Sequence, residues 1–207
     1  MTRSWAETGT PVITLNYDTL IELAASGKPD IGGPEYLPGV QRLPGSYRLE
    51  SLGAPKGFRF LKLHGSVNWL YSGIETFVGD TVYFEDADLE VKGPVNNGDT
   101  RLVPMIIPPV ADKAAAFQNT TIRDQWATAA RHLQGADRVY VLGYSLPATD
   151  LAVRFWFSEV ENKKIVVVNC ADEVRAHFPE ALGNRSSYDF DFVGGQDCIP
   201  RFAASLD

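Results

Sequence analysis

Polar residues that could do chemistry follow directly after apolar runs at four places in the chain. They are Asn16, His64, the segment Gly143-Tyr-Ser145 and Asn169. A histidine with an ordinary pKa of about 6.5 can accept a proton near neutral pH, and a carboxamide can orient water or a hydroxyl group. Asp18 adds a carboxylate shortly after Asn16. These residue types suit proton transfer and the binding of a small polar ligand.

The residues just before these polar groups predict the strands that position them. Apolar or alternating runs occur at 11–15, 58–63, 138–142 and 165–168. Near-continuous apolar strands joined by helical segments are typical of a parallel sheet that is covered on both faces. The sequence therefore predicts an α/β fold with a parallel, Rossmann-like sheet and helices on both faces. Because ligands collect at the carboxyl ends of parallel strands, we expect the polar groups to share one edge of the sheet.

Further segments predict the elements between these strands. Helical periodicity occurs at 18–26, 112–133, 149–161 and 199–206. Residues 188–193 predict one more strand, and the segment 28–57, rich in proline and glycine, is predicted to be a loop. Two strand-like runs, at 81–84 and 89–91, predict a small β-rich insertion over 72–110. We expect residues 1–207 to form a single α/β domain around it.

Charge, cysteine content and hydropathy exclude several classes of protein. A net charge of −7 argues against a broad phosphate-binding surface, so we expect no nucleic acid as a direct partner. The two cysteines, Cys170 and Cys198, form no metal-binding spacing and suit a reducing compartment. No apolar run reaches the length of a membrane span, and the first residues lack the apolar core of a signal peptide. We therefore expect a cytoplasmic protein without a membrane partner.

Four short motifs occur in order at the predicted strand ends. They are Thr14-Leu-Asn16-Tyr-Asp18, Leu63-His64-Gly65-Ser66, Gly143-Tyr-Ser145-Leu and Val167-Val-Asn169. Together they resemble the motifs of the sirtuin-like NAD-consuming proteins, and most closely those of the bacterial sirtuin-like domains in anti-phage defence systems. The resemblance runs over residues 11–170. It implies a Rossmann-like domain that takes NAD or a related dinucleotide as its substrate.

The resemblance implies a hydrolytic site for Asn16, Asp18 and His64. Asn16 and Asp18 would contact the nicotinamide and its ribose, and His64 would lie beside the ribose. We expect cleavage of the nicotinamide–ribose bond to give nicotinamide and ADP-ribose, through an oxocarbenium-like ribose as in glycoside hydrolysis. Asn16 would orient water, Asp18 would bind the carboxamide, and His64 would act as the general base, a role worth about 10²–10⁴ in rate.

The same resemblance implies that Gly143 and Ser145 approach the phosphates or a ribose, and that Asn169 holds the adenine-side ribose. Two features of the family are missing from the sequence. The Gly-Ala-Gly-type loop that binds the dinucleotide phosphates has no counterpart, so we expect the domain to be N-terminally incomplete. The Cys-x-x-Cys pairs that hold zinc in deacylating sirtuins are also missing, so we expect no zinc, and protein deacylation is a weaker alternative.

Each of these residues also has a structural interpretation. Asn16 or Asp18 can cap the following helix. His64, Gly143 and Asn169 can each serve a turn. Their joint order at predicted strand ends favours the functional interpretation.

Two other functions stay open. A serine hydrolase would use Ser145, Asp172 and His177 in the order Ser, acid, His, but Pro147 stands where its strand-to-helix elbow needs glycine. A chain without the phosphate loop could instead be a non-catalytic nucleotide sensor or an interaction module. A second copy of the chain or a defence-system protein is a candidate partner in either role.

Overall fold

The computed structural model describes residues 1–26, 28, 30–43, 56–72, 81–85, 95–97, 100–108, 119–159, 161–182 and 188–206. Their helices are α1 (Thr2–Thr8), α2 (Leu20–Ser26), α3 (Thr120–Gly135), α4 (Leu151–Ser158), α5 (Val174–Leu182) and α6 (Cys198–Ala204). The strands are β1 (Val12–Thr14), β2 (Pro34–Glu35), β3 (Val40–Arg42), β4 (Phe58–Lys62), β5 (Gly65–Tyr71), β6 (Val82–Phe84), β7 (Val95–Asn97), β8 (Thr100–Ile106), β9 (Arg138–Leu142), β10 (Lys163–Val168) and β11 (Tyr188–Val193). The predicted α/β class with Rossmann-like parallel strands is confirmed. None of these helices has the length and apolar character needed to cross a membrane.

Two compact units make up the chain. The first unit comprises Thr2–Pro108 and Asp112–Ala129. The second unit comprises Ala130–Asp207, together with Met1 and Pro109–Ala111. Within the described residues two three-stranded sheets are parallel throughout, one in each unit, where we expected a single sheet. Strands β3 and β6 also pair in parallel, within a five-stranded sheet of the first unit. The single domain and its insertion at 72–110 stay predictions.

The parallel sheet of the first unit has the order β1-β4-β2. Side chains alternate between the faces of a strand, so Phe58, Phe60 and Lys62 of β4 share one face. Phe58 and Phe60 pack with Ala6 of α1 and Ala25 of α2 in a buried cluster. The two helices therefore cover this face of β4, and Lys62 lies on the same covered face.

The first unit also contains a five-stranded sheet with the order β3-β6-β5-β8-β7. Its strand β5 follows β4 after only Leu63 and His64, so one sheet leads directly into the next. Gly65, the first residue of β5, has a φ of +76°. A Cβ at this position would lie 2.0 Å from the Met105 carbonyl oxygen. Only glycine fits such a close approach to a neighbouring backbone at positive φ.

The sheet of the second unit has the order β11-β10-β9, with all strands parallel. Ile165 of β10 is in register with Phe190 of β11, and the Phe190 ring stacks on Phe178 of α5 at 6.5 Å. Val166 points to the opposite face, where it packs with Phe202 of α6. Helices therefore cover both faces of this sheet, as the apolar strands predicted.

Some local predictions were incomplete or wrong. The segment 28–57 is not all loop, because it contains β2 and β3, which are held by pairing with β4 and β6. Helix α1 was not predicted. The helix expected at 112–133 begins at Thr120 in the structure. Residues 112–118 and the strand expected at 89–91 lie outside the described residues. The five-stranded sheet also takes β3 and β5 from outside 72–110.

Candidate functional site

The turn after β1 is shaped by two short side chains. The Thr14 Oγ1 accepts a hydrogen bond from the Asn16 backbone N–H at 3.1 Å. The Asp18 Oδ1 accepts one from the Leu20 N–H at 3.1 Å, at the start of α2. In the described part of the chain this bond occupies only one oxygen of the Asp18 carboxylate. Asp18 therefore caps the start of α2, as its structural interpretation predicted. Its second carboxylate oxygen is still available to a ligand.

An open cleft lies along this turn, at the carboxyl end of parallel strand β1. Its volume is about 530 Å³, and it is lined by Leu15, Asn16, Tyr17, Asp18, Thr19, Leu20 and Val67. The side chains of Asn16 and Asp18 are both exposed. A donor-and-acceptor amide and a carboxylate thus meet solvent side by side at the kind of strand end where α/β folds bind ligands.

Strand β5 supports the far side of the turn. The Tyr17 carbonyl oxygen accepts a hydrogen bond from the Val67 N–H at 2.9 Å and lies 3.1 Å from the Ser66 hydroxyl. The same hydroxyl lies 2.7 Å from the Asn68 Oδ1, so its single proton is shared between two acceptors. The Tyr17 hydroxyl donates to the Ile107 carbonyl at 2.9 Å. These bonds fix Tyr17 and leave its neighbours Asn16 and Asp18 facing the cleft.

His64 is close to this turn but does not line the cleft. It lies in the turn between β4 and β5, and only 3% of its surface is exposed. Its imidazole packs between the rings of Tyr17, at 6.1 Å, and Trp126, at 6.0 Å. The Trp126 indole N–H donates to the Leu63 carbonyl at 2.8 Å and so fixes the turn that carries the histidine. His64 therefore contacts a residue of the cleft wall from a buried position.

A buried charged cluster behind the turn was missed in the sequence. The Lys62 Nζ lies 2.9 Å from the Glu22 Oε1 and 2.5 Å from the Asp18 carbonyl oxygen. The Tyr36 hydroxyl donates to the same Glu22 oxygen at 3.0 Å. Burial lowers the pKa of Lys62, against the attraction of Glu22, and burial beside Glu22 raises the pKa of Tyr36. The available signal was a lysine on the same strand face as Phe58 and Phe60.

The second unit brings the other predicted residues together. Gly143 has a φ of +67°, and its N–H donates to the Val168 carbonyl at 2.9 Å. Ser145 is exposed, whereas Asn169 is buried. The Asn169 Nδ2 donates to the Tyr144 carbonyl at 3.3 Å, and its Oδ1 accepts from the Ala171 N–H at 3.0 Å. Asn169 therefore holds the 143–145 loop through its side chain, and the predicted ribose contacts of these residues stay predictions.

A second polar pair stabilises this loop. The Tyr144 hydroxyl donates to the Asp150 Oδ2 at 2.8 Å. Burial, and then the hydrogen bond and the charge of Asp150, raise the pKa of Tyr144 above its ordinary value. Tyr144 thus remains protonated and its loop stays tied to the start of α4.

The serine-hydrolase alternative is not supported by the geometry. The His177 Nδ1 lies 2.8 Å from the Ser145 carbonyl oxygen, so that ring nitrogen binds the backbone of Ser145. The Asp172 Oδ1 points toward Gly194, where an added Cβ would lie 2.6 Å away. A hydrolase triad needs the histidine to bind the serine hydroxyl and the acid to bind the histidine.

Asn16 and Asp18 are thus brought together in one cleft, with His64 packed against its wall. Among the described residues, no group of three or more His, Cys, Asp or Glu side chains is placed to hold a metal ion. The chain matches no protein-family model, no curated protein and no solved structure. The functional interpretation therefore depends on the residues and the geometry of this cleft.

Proposed function

We propose that the cleft beside Asn16 and Asp18 binds the nicotinamide riboside part of NAD, and that the chain hydrolyses the nicotinamide–ribose bond. The observation that carries this proposal is the exposed carboxamide beside an exposed carboxylate, in an open cleft at the carboxyl end of β1. The cleft volume of about 530 Å³ falls in the range of small-ligand sites, which is about 300–1,000 Å³. We choose NAD as the ligand because the four ordered motifs resemble those of the sirtuin-like proteins.

The two exposed side chains suit the two ends of the scissile bond. When the carbon–nitrogen bond breaks, nicotinamide leaves with the bonding electrons and the ribose becomes oxocarbenium-like. Water then bonds to the ribose carbon and loses a proton, which gives ADP-ribose. The Asn16 amide can orient that water, and the second oxygen of Asp18 can accept a hydrogen bond from the nicotinamide carboxamide. The carboxylate also lowers the energy of the nearby positive charge.

In this proposal His64 is the candidate base that takes the proton from water. A general base must come within about 2.6–3.2 Å of the proton-bearing oxygen, or reach it through one water. His64 is buried and packs against Tyr17, so for His64 to reach the water the Tyr17 ring must move when NAD binds, and its hydroxyl must release the Ile107 carbonyl. If it does not shift, His64 acts only by holding Tyr17 in the cleft wall.

The burial of His64 favours a second candidate function, namely nucleotide binding without turnover. In that case Asn16 and Asp18 recognise the ligand, and the chain acts as a sensor or an interaction module in anti-phage defence. A second copy of the chain or a defence-system protein would be its partner.

Product analysis separates the two functions. The protein is incubated with NAD, and nicotinamide and ADP-ribose are measured by chromatography, while NAD affinity is measured by calorimetry. Equal amounts of both products support hydrolysis. Binding without either product supports the sensor function. An absence of binding would refute both.

A further inference from the structure

The two cysteines of the chain meet within the second unit, although they are 28 residues apart. Cys170 follows Asn169 at the end of β10, and Cys198 is the first residue of α6. Their sulfur atoms are 3.2 Å apart, and one thiol donates a hydrogen bond to the other. Both are free thiols in the structure. No cysteine spacing in the sequence predicted this contact.

The surroundings of the two thiols differ. Cys198 is fully buried and packs with Val166, Val168 and Phe202 between α6 and β10. Burial, and then the hydrogen bond with Cys170, raise the pKa of the Cys198 thiol. Cys170 is exposed, and its sulfur also lies 3.5 Å from the Gln196 carbonyl oxygen. An oxidant from solution therefore reaches Cys170 first, and Cys198 is the thiol held next to it.

A disulfide bond between Cys170 and Cys198 would require only a small movement of their sulfur atoms. A disulfide has its sulfur atoms about 2.05 Å apart, so the 3.2 Å contact must shorten by about 1.2 Å. Cys170 lies in a bend after the strand and not in a packed helix, so that the bend can supply this movement. Cys198 can stay in its packed position on α6.

We propose that Cys170 and Cys198 form a reversible oxidation site, in which a hydroperoxide converts the two thiols to a disulfide. The Cys170 thiolate attacks one oxygen of the peroxide, the oxygen–oxygen bond breaks, and hydroxide leaves, which gives a sulfenic acid at Cys170. The Cys198 sulfur then attacks the Cys170 sulfur. The hydroxyl group leaves with the Cys198 proton as water. Overall the two thiols lose two electrons and two protons, and the peroxide is reduced.

The oxidation site adjoins the loop that carries Gly143 and Ser145. Cys170 lies directly after Asn169, whose side chain bonds the Tyr144 carbonyl and the Ala171 N–H. A disulfide ties this short segment to the start of α6 and so restricts the residue that holds the loop. The inference rests on these contacts and not on the proposed hydrolysis of NAD.

Peptide mapping tests the proposal directly. The reduced protein, freed of reductant, is treated with hydrogen peroxide, alkylated with a maleimide, and digested for mass spectrometry without reduction. We expect a peptide that links Cys170 to Cys198, loss of both free thiols together, and recovery of both with dithiothreitol. Sulfinic acid at Cys170 without the linked peptide, or a disulfide only between two chains, would refute the proposal.

Two variants establish the order of the steps. In Cys198→Ala, which keeps a small apolar residue at the buried position, Cys170 should form a sulfenic acid that is trapped by dimedone. In Cys170→Ser, an exposed and conservative change, Cys198 should stay unmodified in the folded protein. Hydrogen exchange at residues 144 and 171 should slow on oxidation of the wild type and stay unchanged in Cys170→Ser. Modification of Cys198 in that variant would overturn the proposed order.

Discussion

Lys62 and Glu22 form an ion pair inside the first unit, with side chains that are 0% and 7% exposed. The same lysine donates to the Asp18 carbonyl, and the same glutamate accepts from Tyr36. The pair therefore joins β4, α2 and the turn that carries Asp18. The second carboxylate oxygen of Glu22, Oε2, has no hydrogen-bond partner in the described structure. The negative charge of Glu22 is therefore stabilised by Lys62 and Tyr36, which both contact Oε1.

Lys62→Met should lower the free energy of unfolding by about 3–5 kcal/mol, because it leaves the Glu22 carboxylate buried without its cation. Urea unfolding measures this change. Replacing both partners, as in Lys62→Met with Glu22→Leu, should restore much of the loss. The exposed pair Arg3 and Asp30, with exposed fractions of 52% and 51%, is the control. Arg3→Met should cost less than about 1 kcal/mol. Equal losses in Lys62→Met and Arg3→Met would contradict the buried-pair interpretation.

Asn16→Ala should lower the kcat for NAD hydrolysis about 10²-fold, since the attacking water loses the group that orients it. Thermal unfolding should be unchanged, because Asn16 is exposed and only its backbone N–H bonds Thr14. The matched control is Gln134→Ala, which removes another exposed carboxamide in the second unit. Wild-type turnover in Asn16→Ala, measured by chromatography of nicotinamide, would remove Asn16 from the mechanism.

His64→Phe should separate the two roles of the histidine. Phenylalanine keeps an aromatic ring between Tyr17 and Trp126 but cannot accept a proton. If His64 is the general base, kcat falls about 10²–10⁴-fold while NAD affinity changes little, and the melting temperature falls less than in His64→Ala. His64→Ala should lose turnover to the same extent and also lose stability, because it leaves a cavity. Full turnover in His64→Phe would show that the histidine acts through packing alone.

Tyr144→Phe should make stability less sensitive to alkaline pH. The pKa of Tyr144 is raised in the folded chain, so above its ordinary value of 10.0 the unfolded chain loses the proton while the folded chain keeps it. The stability that depends on this proton is therefore complete below pH 10 and is lost as the pH rises further. Urea unfolding at about pH 9 and about pH 11 should show a smaller loss of unfolding free energy in Tyr144→Phe. The difference should stay below about 1.4 kcal/mol per pH unit, because solvent screens the half-buried hydroxyl. An identical loss of unfolding free energy in the wild type and in Tyr144→Phe would show that folding does not raise the pKa of the Tyr144 hydroxyl.

Gly65→Ala and Gly143→Ala should differ sharply in stability, although both glycines have positive φ. At Gly143 a Cβ meets no atom within 4 Å, so the cost is only the backbone strain of about 1–2 kcal/mol. At Gly65 a Cβ would lie 2.0 Å from the Met105 carbonyl oxygen, so either the turn or β8 must move as well. Denaturant unfolding compares the two variants. A larger loss of unfolding free energy in Gly143→Ala than in Gly65→Ala would contradict the close packing of Gly65 against the Met105 carbonyl.

Elements with strong local patterns were predictable from the sequence. The strand at Arg138–Leu142 and the strand at Tyr188–Val193 have the predicted bounds, and β10 begins two residues earlier than predicted. Apolar or alternating runs of this length indicate a strand without help from distant residues. The position of Asn16 and Asp18 just after a parallel strand was predictable for the same reason. Each follows from a single continuous stretch of sequence.

The features that were missed depend on residues far apart in the chain. The Lys62–Glu22 pair joins residues 40 apart, and the contact of Cys170 with Cys198 joins residues 28 apart. Local hydrophobic periodicity carries no information about contacts between residues that are distant in the sequence. The burial of His64 has the same origin, since Trp126, which covers it, comes from α3. The short strands β2 and β3 were missed because they exist only through their pairing partners.

The passage from β4 into β5 spans only Leu63 and His64, and Val67 of β5 donates its N–H to the Tyr17 carbonyl. The turn beside the cleft is thus fastened to both sheets of the first unit. We expect a ligand that restricts this turn to slow hydrogen exchange at the Val67 amide, so that exchange at this single strand position would report whether the cleft is occupied.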